Sequence, residues 1–454
     1  MEDITMRKIF QYIMLAVVTI VMASCTSDIE ETTATTDKSN VQLVVGEFPA
    51  FGDSQTRTIG TPDPGKTSWA VGDELLLVID NTSYGSHSAT FTYNGKSWEL
   101  TSGELVYREG DPAYIPHVYY APNYKWANTS LMLKKGKAAG TDEYIEGTAR
   151  ITGNGETITV SFAEATRKYS RLRIATLPNE QITVDTEDFT PAGSSDMEQK
   201  GNYTLTSDEK GNAYLYGTFE NNSEVTVKYR EAALTTYTFS QATESAKSYA
   251  LDATVISANS AEEIKSAIEQ KVADGKTTIR LNLAPNAGTN EFMAIREAIK
   301  GAAPNDLGTI ELTFIGVETI PEEAFYKMLQ LKSVRMSDVK EIKKYAFKEC
   351  QYLTVVEAPS LNKLCSGAFK KCDQLAKLTF GPINYADERN WPIFEYITPN
   401  IDLILSDYQK EMIETDSYLY TANNDRDYAG SDEHNSKNFL GREFKSITCR
   451  YKVK

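Results

Sequence analysis

A 22-residue repeat in the last third of the sequence constrains the fold more than any other feature. The dipeptide Ala-Phe occurs at 324–325, 346–347 and 368–369, and apolar residues at several further positions keep the same spacing. A unit of this length cannot bury its apolar side chains alone, so successive units must stack and share one core. The sequence therefore predicts a repeat region over residues 310–380, in which the strands centre on Val334, Val356 and Leu378.

The repeat frame carries a family resemblance. It reads Ile-x-x-x-Ala-Phe-x-x-Cys-x-x-Leu-x-x-Val, which resembles the BspA-like (type 5) leucine-rich repeat. The resemblance implies an α/β leucine-rich-repeat solenoid on a bacterial surface protein associated with adhesion.

Both ends of such a stack need covering, so residues 256–309 and 381–454 are expected to form its N-terminal and C-terminal caps. Ser260 and Glu263 form a capping box that opens a helix in the first cap. A second helix there is expected to end at Gly301. After Phe380 the 22-residue period lapses, which places the end of the repeats at that residue.

A candidate ligand surface follows from the alternation of side chains along each strand. The neighbours of the central apolar residues are expected to point outward. These six residues are Ser333, Arg335, Val355, Glu357, Lys377 and Thr379. Residues 318–380 contain eleven Lys and Arg and eight Asp and Glu, a local charge of +3 on a chain of net charge −16. The basic residues either contact a ligand or only keep the repeat soluble.

Two of the five cysteines, Cys350 and Cys372, keep step with the repeat. Equivalent positions of stacked units lie about 4.8 Å apart, a separation that a disulfide also tolerates. Because the two side chains should point the same way, free thiols that fill the core are favoured. The spacing of the cysteines matches neither a disulfide scaffold nor a zinc site.

The first forty residues predict the compartment. A basic start precedes an apolar run over residues 9–22, which is too short to span a bilayer and is typical of a signal peptide. The following Met-Ala-Ser-Cys resembles a lipobox, which implies lipidation of Cys25 and removal of residues 1–24. Residues 25–40 are polar and acidic and are expected to form a flexible tether. Their acidic stretch at 27–31 resembles the export signal of surface lipoproteins in some Gram-negative bacteria. An ordinary acidic linker explains the same composition.

Residues 41–255 show alternating apolar segments separated by turn signals such as Asn94-Gly95, which predicts an all-β region of one or two sandwiches. A set of short motifs there is similar to the fimbrillin (FimA-type) family. They are Thr56-Arg57-Thr58, Trp69-x-x-Gly72-Asp73, Tyr93-x-Gly95-x-x-Trp98, Tyr119-Tyr120-Ala121-Pro122 and Tyr169-Ser170-Arg171-Leu172-Arg173-Ile174. The resemblance implies two transthyretin- or Ig-like sandwiches, at 41–140 and 141–255.

In polymerising fimbrillins, cleavage after an arginine removes the first strand, and a neighbouring subunit donates a strand in its place. Arg57 is the nearest candidate for this cleavage, which would give the protein a structural role as a fimbrial subunit. Other members of the family are expected to stay monomeric. A third function is glycan binding, suggested by five bunched aromatic residues: Tyr114, Tyr119, Tyr120, Tyr124 and Trp126. A sandwich core needs the same residues. Trp69 and Trp98 are likewise expected to anchor the core.

Several other classes of function are disfavoured by the sequence. The charge of −16 opposes nucleic-acid binding, and the three histidines are isolated. Residues 60–67 match the phosphate-loop pattern GxxxxGK[ST], but two prolines remove amides that the loop needs. Asn423, Asp425 and Asp427 suggest calcium, but Tyr428 stands where an EF-hand loop needs glycine. We therefore predict no metal, cofactor or catalytic residue.

Together these observations predict a non-enzymatic lipoprotein of the outer membrane that faces the cell exterior. It contacts the membrane through its lipid anchor only, and it binds a protein or glycan on another surface through its repeats. The alternatives are a fimbrial component that contacts other fimbrial subunits, and a glycan-binding surface protein.

Overall fold

The computed structural model of the chain describes residues 31–33, 42–51, 65–81, 85–104, 113–127, 130–152, 157–162, 167–258, 260–387, 393–397, 399–406, 438–440 and 442–451. This part of the chain is mostly β, with two helices, which confirms the expected β-rich character. Residues 1–24, Cys25, Arg57 and the acidic residues at 423–427 lie outside it. Among the helices described, neither is long and apolar enough to span a bilayer.

The first sheet has eight strands in the order β1-β2-β10-β9-β6-β3-β4-β5. Its bounds, together with those of the separate hairpin β7–β8, are β1 (Glu31–Thr33), β2 (Gln42–Val45), β3 (Glu74–Asn81), β4 (Gly85–Tyr93), β5 (Trp98–Gly103), β6 (Ala113–Tyr120), β7 (Tyr124–Ala127), β8 (Ser130–Leu133), β9 (Ile145–Thr152) and β10 (Thr157–Ser161). Leu43 of β2 and Trp98 of β5 come from opposite ends of this order, yet they share one buried cluster with Phe91. The sheet therefore curves around a single core.

The two tryptophans expected in the core lie there, and part of the expected tether pairs with the first sheet. Trp69 and Trp98 pack edge to face, with ring centroids 5.1 Å apart, and Trp69 Nε1 donates to the Gly46 carbonyl at 2.8 Å. Both therefore anchor the core. Residues 25–40 were expected to form a flexible tether, but Glu31–Thr33 within them pairs antiparallel with β2.

The second sheet has seven strands, six of them in the order β16-β15-β12-β14-β11-β17, with β13 paired to β12. The strands are β11 (Ser170–Ala175), β12 (Gln181–Pro191), β13 (Glu198–Thr206), β14 (Asn212–Phe219), β15 (Glu224–Tyr229), β16 (Ala232–Thr238) and β17 (Ser248–Asp252). Their inward side chains form a separate buried cluster around Phe189, Phe219 and Phe239. The ring centroid of Phe219 lies 4.5 Å from that of Phe189 and 4.5 Å from that of Phe239.

The third part of the chain begins with two strand–helix units and continues as parallel strands. Its elements are β18 (Ile256–Ser257), α1 (Ala261–Ala273), β19 (Thr278–Asn282), α2 (Thr289–Ala302), β20 (Ile310–Ile315), β21 (Thr319–Ile320), β22 (Leu331–Met336), β23 (Glu341–Ile342), β24 (Val355–Ala358), β25 (Lys363–Cys365), β26 (Lys377–Phe380), β27 (Tyr385–Asp387), β28 (Asp402–Ser406), β29 (Asn438–Phe439), β30 (Arg442–Glu443) and β31 (Ser446–Tyr451). One sheet runs β18-β19-β20-β22-β24-β26-β28-β31, and a second runs β21-β23-β25-β27.

The 22-residue spacing sets the register of both sheets. Val334 pairs with Val356, and Val356 with Leu378, so the strands centre on the residues predicted from the repeat. In the second sheet Ile320 pairs with Ile342, and Ile342 with Leu364. All of these side chains are fully buried. Each unit thus adds one strand to each sheet.

The stack continues past Phe380, contrary to the expectation that the repeat ends there. Leu378 pairs with Leu403, and the rings of Phe369 and Phe394 stack with centroids 5.7 Å apart. Both pairs are separated by 25 residues rather than 22. The last unit therefore has three extra residues. They break the 22-residue period in the sequence but do not interrupt the stack.

The first cap helix begins as predicted, and the second ends later than predicted. Ser260 Oγ accepts the Glu263 amide at 3.2 Å at the start of α1. Helix α2 passes through Gly301 and ends at Ala302, because the Ala303 amide still bonds the Ile299 carbonyl at 2.9 Å. Glycine lowers helix stability but does not block the helical conformation.

Candidate binding surface

The outward side chains of β22, β24, β26, β28 and β31 form one continuous surface, which we call the strand face. Five of the six predicted ligand-surface residues reach solvent there. Lys377 is exposed, and Arg335, Val355, Glu357 and Thr379 are half-buried. Ser333 is 5% exposed, so the expectation that it faces solvent is wrong.

The second sheet covers the first strands of the parallel sheet. Arg280, which lies two strands before Arg335 in the same outward row, donates its Nε to the Leu234 carbonyl of β16 and is 4% exposed. Ile315 at the end of β20 belongs to the buried cluster of the second sheet. This burial lowers the pKa of the Arg280 guanidinium. The accessible strand face therefore starts at Arg335.

The strand face extends further towards the C-terminus than the sequence indicated. Thr379 pairs with Ile404, and Ile404 with Thr448, so the outward row continues onto β28 and β31. Ile404 and Thr448 are half-buried. The alternating apolar residues at 401, 403 and 405 carried the signal, but the lapse of the 22-residue period concealed their register.

Charges on the strand face are largely paired between neighbouring units. Lys332 Nζ lies 2.8 Å from a Glu311 carboxylate oxygen, and Arg335 Nε lies 3.1 Å from a Glu357 oxygen. Lys377 lies 3.9 Å from the same carboxylate. Exposed pairs of this kind each contribute about 0–1 kcal/mol to stability. Their main effect is to leave the strand face close to neutral.

A second surface lies on the opposite side of the repeats, where residues 322–327, 343–349, 366–371 and 393–397 form stacked turns. We call it the turn surface. Alternate amides in one turn bond carbonyls in the next, for example Phe325 to Ala346 at 2.7 Å and Phe347 to Ala368 at 2.9 Å. The same positions of successive turns repeatedly adopt left-handed backbone, with φ of 56°, 61° and 59° at Lys327, Glu349 and Lys371. The turns are thus held in register by main-chain bonds as well as by side chains.

Lysine and tyrosine side chains alternate on the turn surface. The Lys348 ammonium lies 5.0 Å from the Tyr326 ring centroid and 4.7 Å from that of Tyr345. Lys344 lies 4.8 Å from the Tyr345 centroid, and Lys371 lies 6.0 Å from that of Tyr396. The 22-residue period does not indicate this arrangement, because the lysines and tyrosines occupy different positions in successive units.

The two in-step cysteines are free and fully buried. Cys350 Sγ donates to the Phe325 carbonyl and Cys372 Sγ to the Phe347 carbonyl, both at 3.0 Å. Burial raises the pKa of the Cys350 thiol to about 12. Both thiols are therefore protonated fillers of the core rather than reactive groups.

Other candidate sites have structural explanations. Tyr119, Tyr120 and Tyr124 of the aromatic group are at most 8% exposed, and Trp126 is half-buried, so these four side chains do not form an open platform for a sugar. The side chain of Tyr114 lies outside the described residues. Lys66 of the phosphate-loop pattern pairs with Asp73 at 2.6 Å. Within the described residues, no group of three or more His, Cys, Asp or Glu side chains is arranged to hold a metal ion.

Comparison with known families supports the repeat. Residues 306–409 match the model of the BspA type leucine-rich repeat region, in six copies. This range is wider than the predicted 310–380 and includes β28, in agreement with the continued stack. The matched family is a repeat and binding module, not an enzyme family. The match does not include residues 41–255, so the fimbrillin resemblance there stays a prediction. No curated protein matches the chain significantly.

Proposed function

We propose that this protein is a non-enzymatic adhesin that binds a macromolecule of a host or neighbouring cell through its repeat region. The match of residues 306–409 to a binding module carries the proposal. The strand face from Arg335 to Thr448 supports it, because a broad row of half-exposed side chains suits a macromolecular partner better than a small molecule.

The compartment belongs to the same proposal. A signal peptide over residues 1–24 and lipidation at Cys25 place the protein in the outer membrane, facing the exterior. Two or more acyl chains give stable membrane attachment, which a surface adhesin under mechanical load requires. The support for this anchor is the lipobox-like sequence before Cys25.

The proposal is tested with the full-length chain against immobilised extracellular-matrix proteins and cell surfaces. We expect binding at micromolar concentration or tighter. Replacing Val355 and Thr379 together by arginine should weaken it at least about tenfold, because both residues lie at the centre of the strand face. The matched control replaces the exposed Thr101 and Thr236 of the first two sheets by arginine and should bind normally. Absence of wild-type binding would refute adhesion, and equal binding by both variants would exclude the strand face.

A fimbrial role is the second candidate, and the pairing of β2 favours it. Strand β2 lies between β1 and β10 and covers the edge of β10 through parallel pairing. Cleavage at Arg57 would separate β1 and β2 from the rest of the chain and free this edge for a strand of another subunit. Size-exclusion chromatography before and after trypsin-like cleavage tests the idea. Polymers after cleavage are expected if the role is fimbrial, whereas a monomer throughout removes it.

A further inference from the structure

The turn surface carries lysines that have no carboxylate partner in the part of the chain that the structure describes. Among the described residues, Lys343, Lys344 and Lys371 have no carboxylate oxygen within 4.0 Å. Lys327 and Lys348 share Glu349, at 3.6 and 3.9 Å. The acidic residues Glu322 and Glu323 lie in the first turn, so the excess positive charge falls on the second and third turns. This distribution contrasts with the paired charges of the strand face.

Two lysines of the turn surface, Lys344 and Lys348, are held in place before any partner binds. Tyr326 and Tyr345 flank the Lys348 ammonium, and Tyr345 also contacts Lys344. Each cation–π contact at an exposed site contributes about 0.5–1 kcal/mol. The turns beneath them are fixed by main-chain bonds such as Lys327 N to Lys348 O at 2.9 Å. Ordering long side chains on binding costs free energy, so this arrangement lowers the cost of contacting an anion.

The composition of the turn surface distinguishes between anionic partners. Its apolar side chains are buried, including those of Phe325, Phe347, Phe369 and Phe394. The side chains that reach solvent belong to lysine, glutamate and tyrosine. A protein partner usually inserts large apolar anchors into pockets lined by apolar side chains, whereas the apolar side chains of this surface are buried. Lys343 and Lys344 lie in one turn and Lys371 lies in the next, so the positive charge extends along the stack, which suits an extended polymer that carries anionic groups along its length.

We propose that the turn surface binds a linear acidic polysaccharide, one that carries sulfate or carboxylate groups on successive sugars. The proposal rests on the repeat region being the binding part of the protein, and it adds a second surface and a class of partner. The acidic remainder of the chain does not prevent such binding, because charges are screened over about 8 Å at physiological ionic strength. A wide rod such as duplex DNA would extend onto that acidic remainder and be repelled.

The test measures binding of the full-length chain to immobilised heparin, hyaluronan, dextran, poly-glutamate and duplex DNA. We expect heparin to bind most tightly, hyaluronan more weakly and dextran not at all, with affinity falling as salt increases. Replacing Lys343, Lys344 and Lys371 together by glutamate should weaken heparin binding at least about tenfold. Thermal unfolding of each variant shows whether the fold is retained.

The matched control replaces three exposed lysines outside the repeat by glutamate, with the same change in charge: Lys96, Lys200 and Lys210. It should bind heparin like the wild type. Failure of both acidic glycans to bind, equal loss in the two variants, or tighter binding of poly-glutamate or DNA would overturn the proposal. If matrix proteins still bind in that case, adhesion stands and only the glycan assignment fails.

Discussion

Replacing Phe347 by alanine is expected to destabilise the repeat region by about 3–5 kcal/mol. Its ring is fully buried between Phe325 and Phe369, at centroid distances of 5.3 and 5.4 Å. The two interplanar angles are 16° and 3°, so the three rings form a continuous stack. Removing the middle ring leaves a cavity that main-chain bonds on both sides prevent from closing.

The measurement is chemical denaturation combined with hydrogen exchange of the amides in residues 310–380, because the repeat region need not unfold together with the first two sheets. Tyr385 provides a matched control in the same region, since its ring is 42% exposed. Replacing Tyr385 by alanine should change stability by only about 0.5 kcal/mol. If Phe347→Ala lowers the free energy of unfolding by less than about 1 kcal/mol, the aromatic stack does not stabilise the repeat region as argued.

The aromatic stack also shows what the sequence could predict. Phe325, Phe347 and Phe369 are evenly spaced, so their stacking follows directly from the period. The stack continues to Phe394 at one end, and Phe292 of α2 packs against Phe325 at the other, at 5.7 Å. Neither end keeps the 22-residue spacing, so the sequence could not show how the stack is closed.

The strand face, like the aromatic stack, could be predicted from the sequence only in part. Alternation along strands placed Arg335 and Glu357 outward, and their exposure agrees. The same rule failed for Ser333, which is buried, and the burial of Arg280 against Leu234 comes from a sheet that precedes the repeat by many residues. Periodicity describes contacts between equivalent positions, whereas contacts between unlike parts of the chain leave no repeating signal.

Replacing Arg167 by methionine is expected to cost about 3–5 kcal/mol, for a reason that periodicity could not reveal. The side chain is fully buried at the junction of the first two sheets, where it pairs with the carboxylate of Glu143. Its Nε and Nη2 donate to the Pro49 carbonyl at 2.9 and 2.7 Å. The guanidinium also lies 3.8 Å from the ring centroid of Phe51, which packs into the second sheet. Loss of Arg167 therefore leaves a buried carboxylate without its cation.

A double-mutant cycle separates this explanation from simple loss of contacts. Changing Glu143 to leucine together with Arg167→Met removes both charges and should recover a large part of the lost stability. The exposed pair Lys168–Glu146, at 2.8 Å, is the control, and Lys168→Met should cost less than about 1 kcal/mol. Denaturation of the full-length chain provides the measurement. If the double variant is no more stable than Arg167→Met alone, the unpaired carboxylate is not the cause, and the lost contacts with Pro49 and Phe51 hold the junction instead.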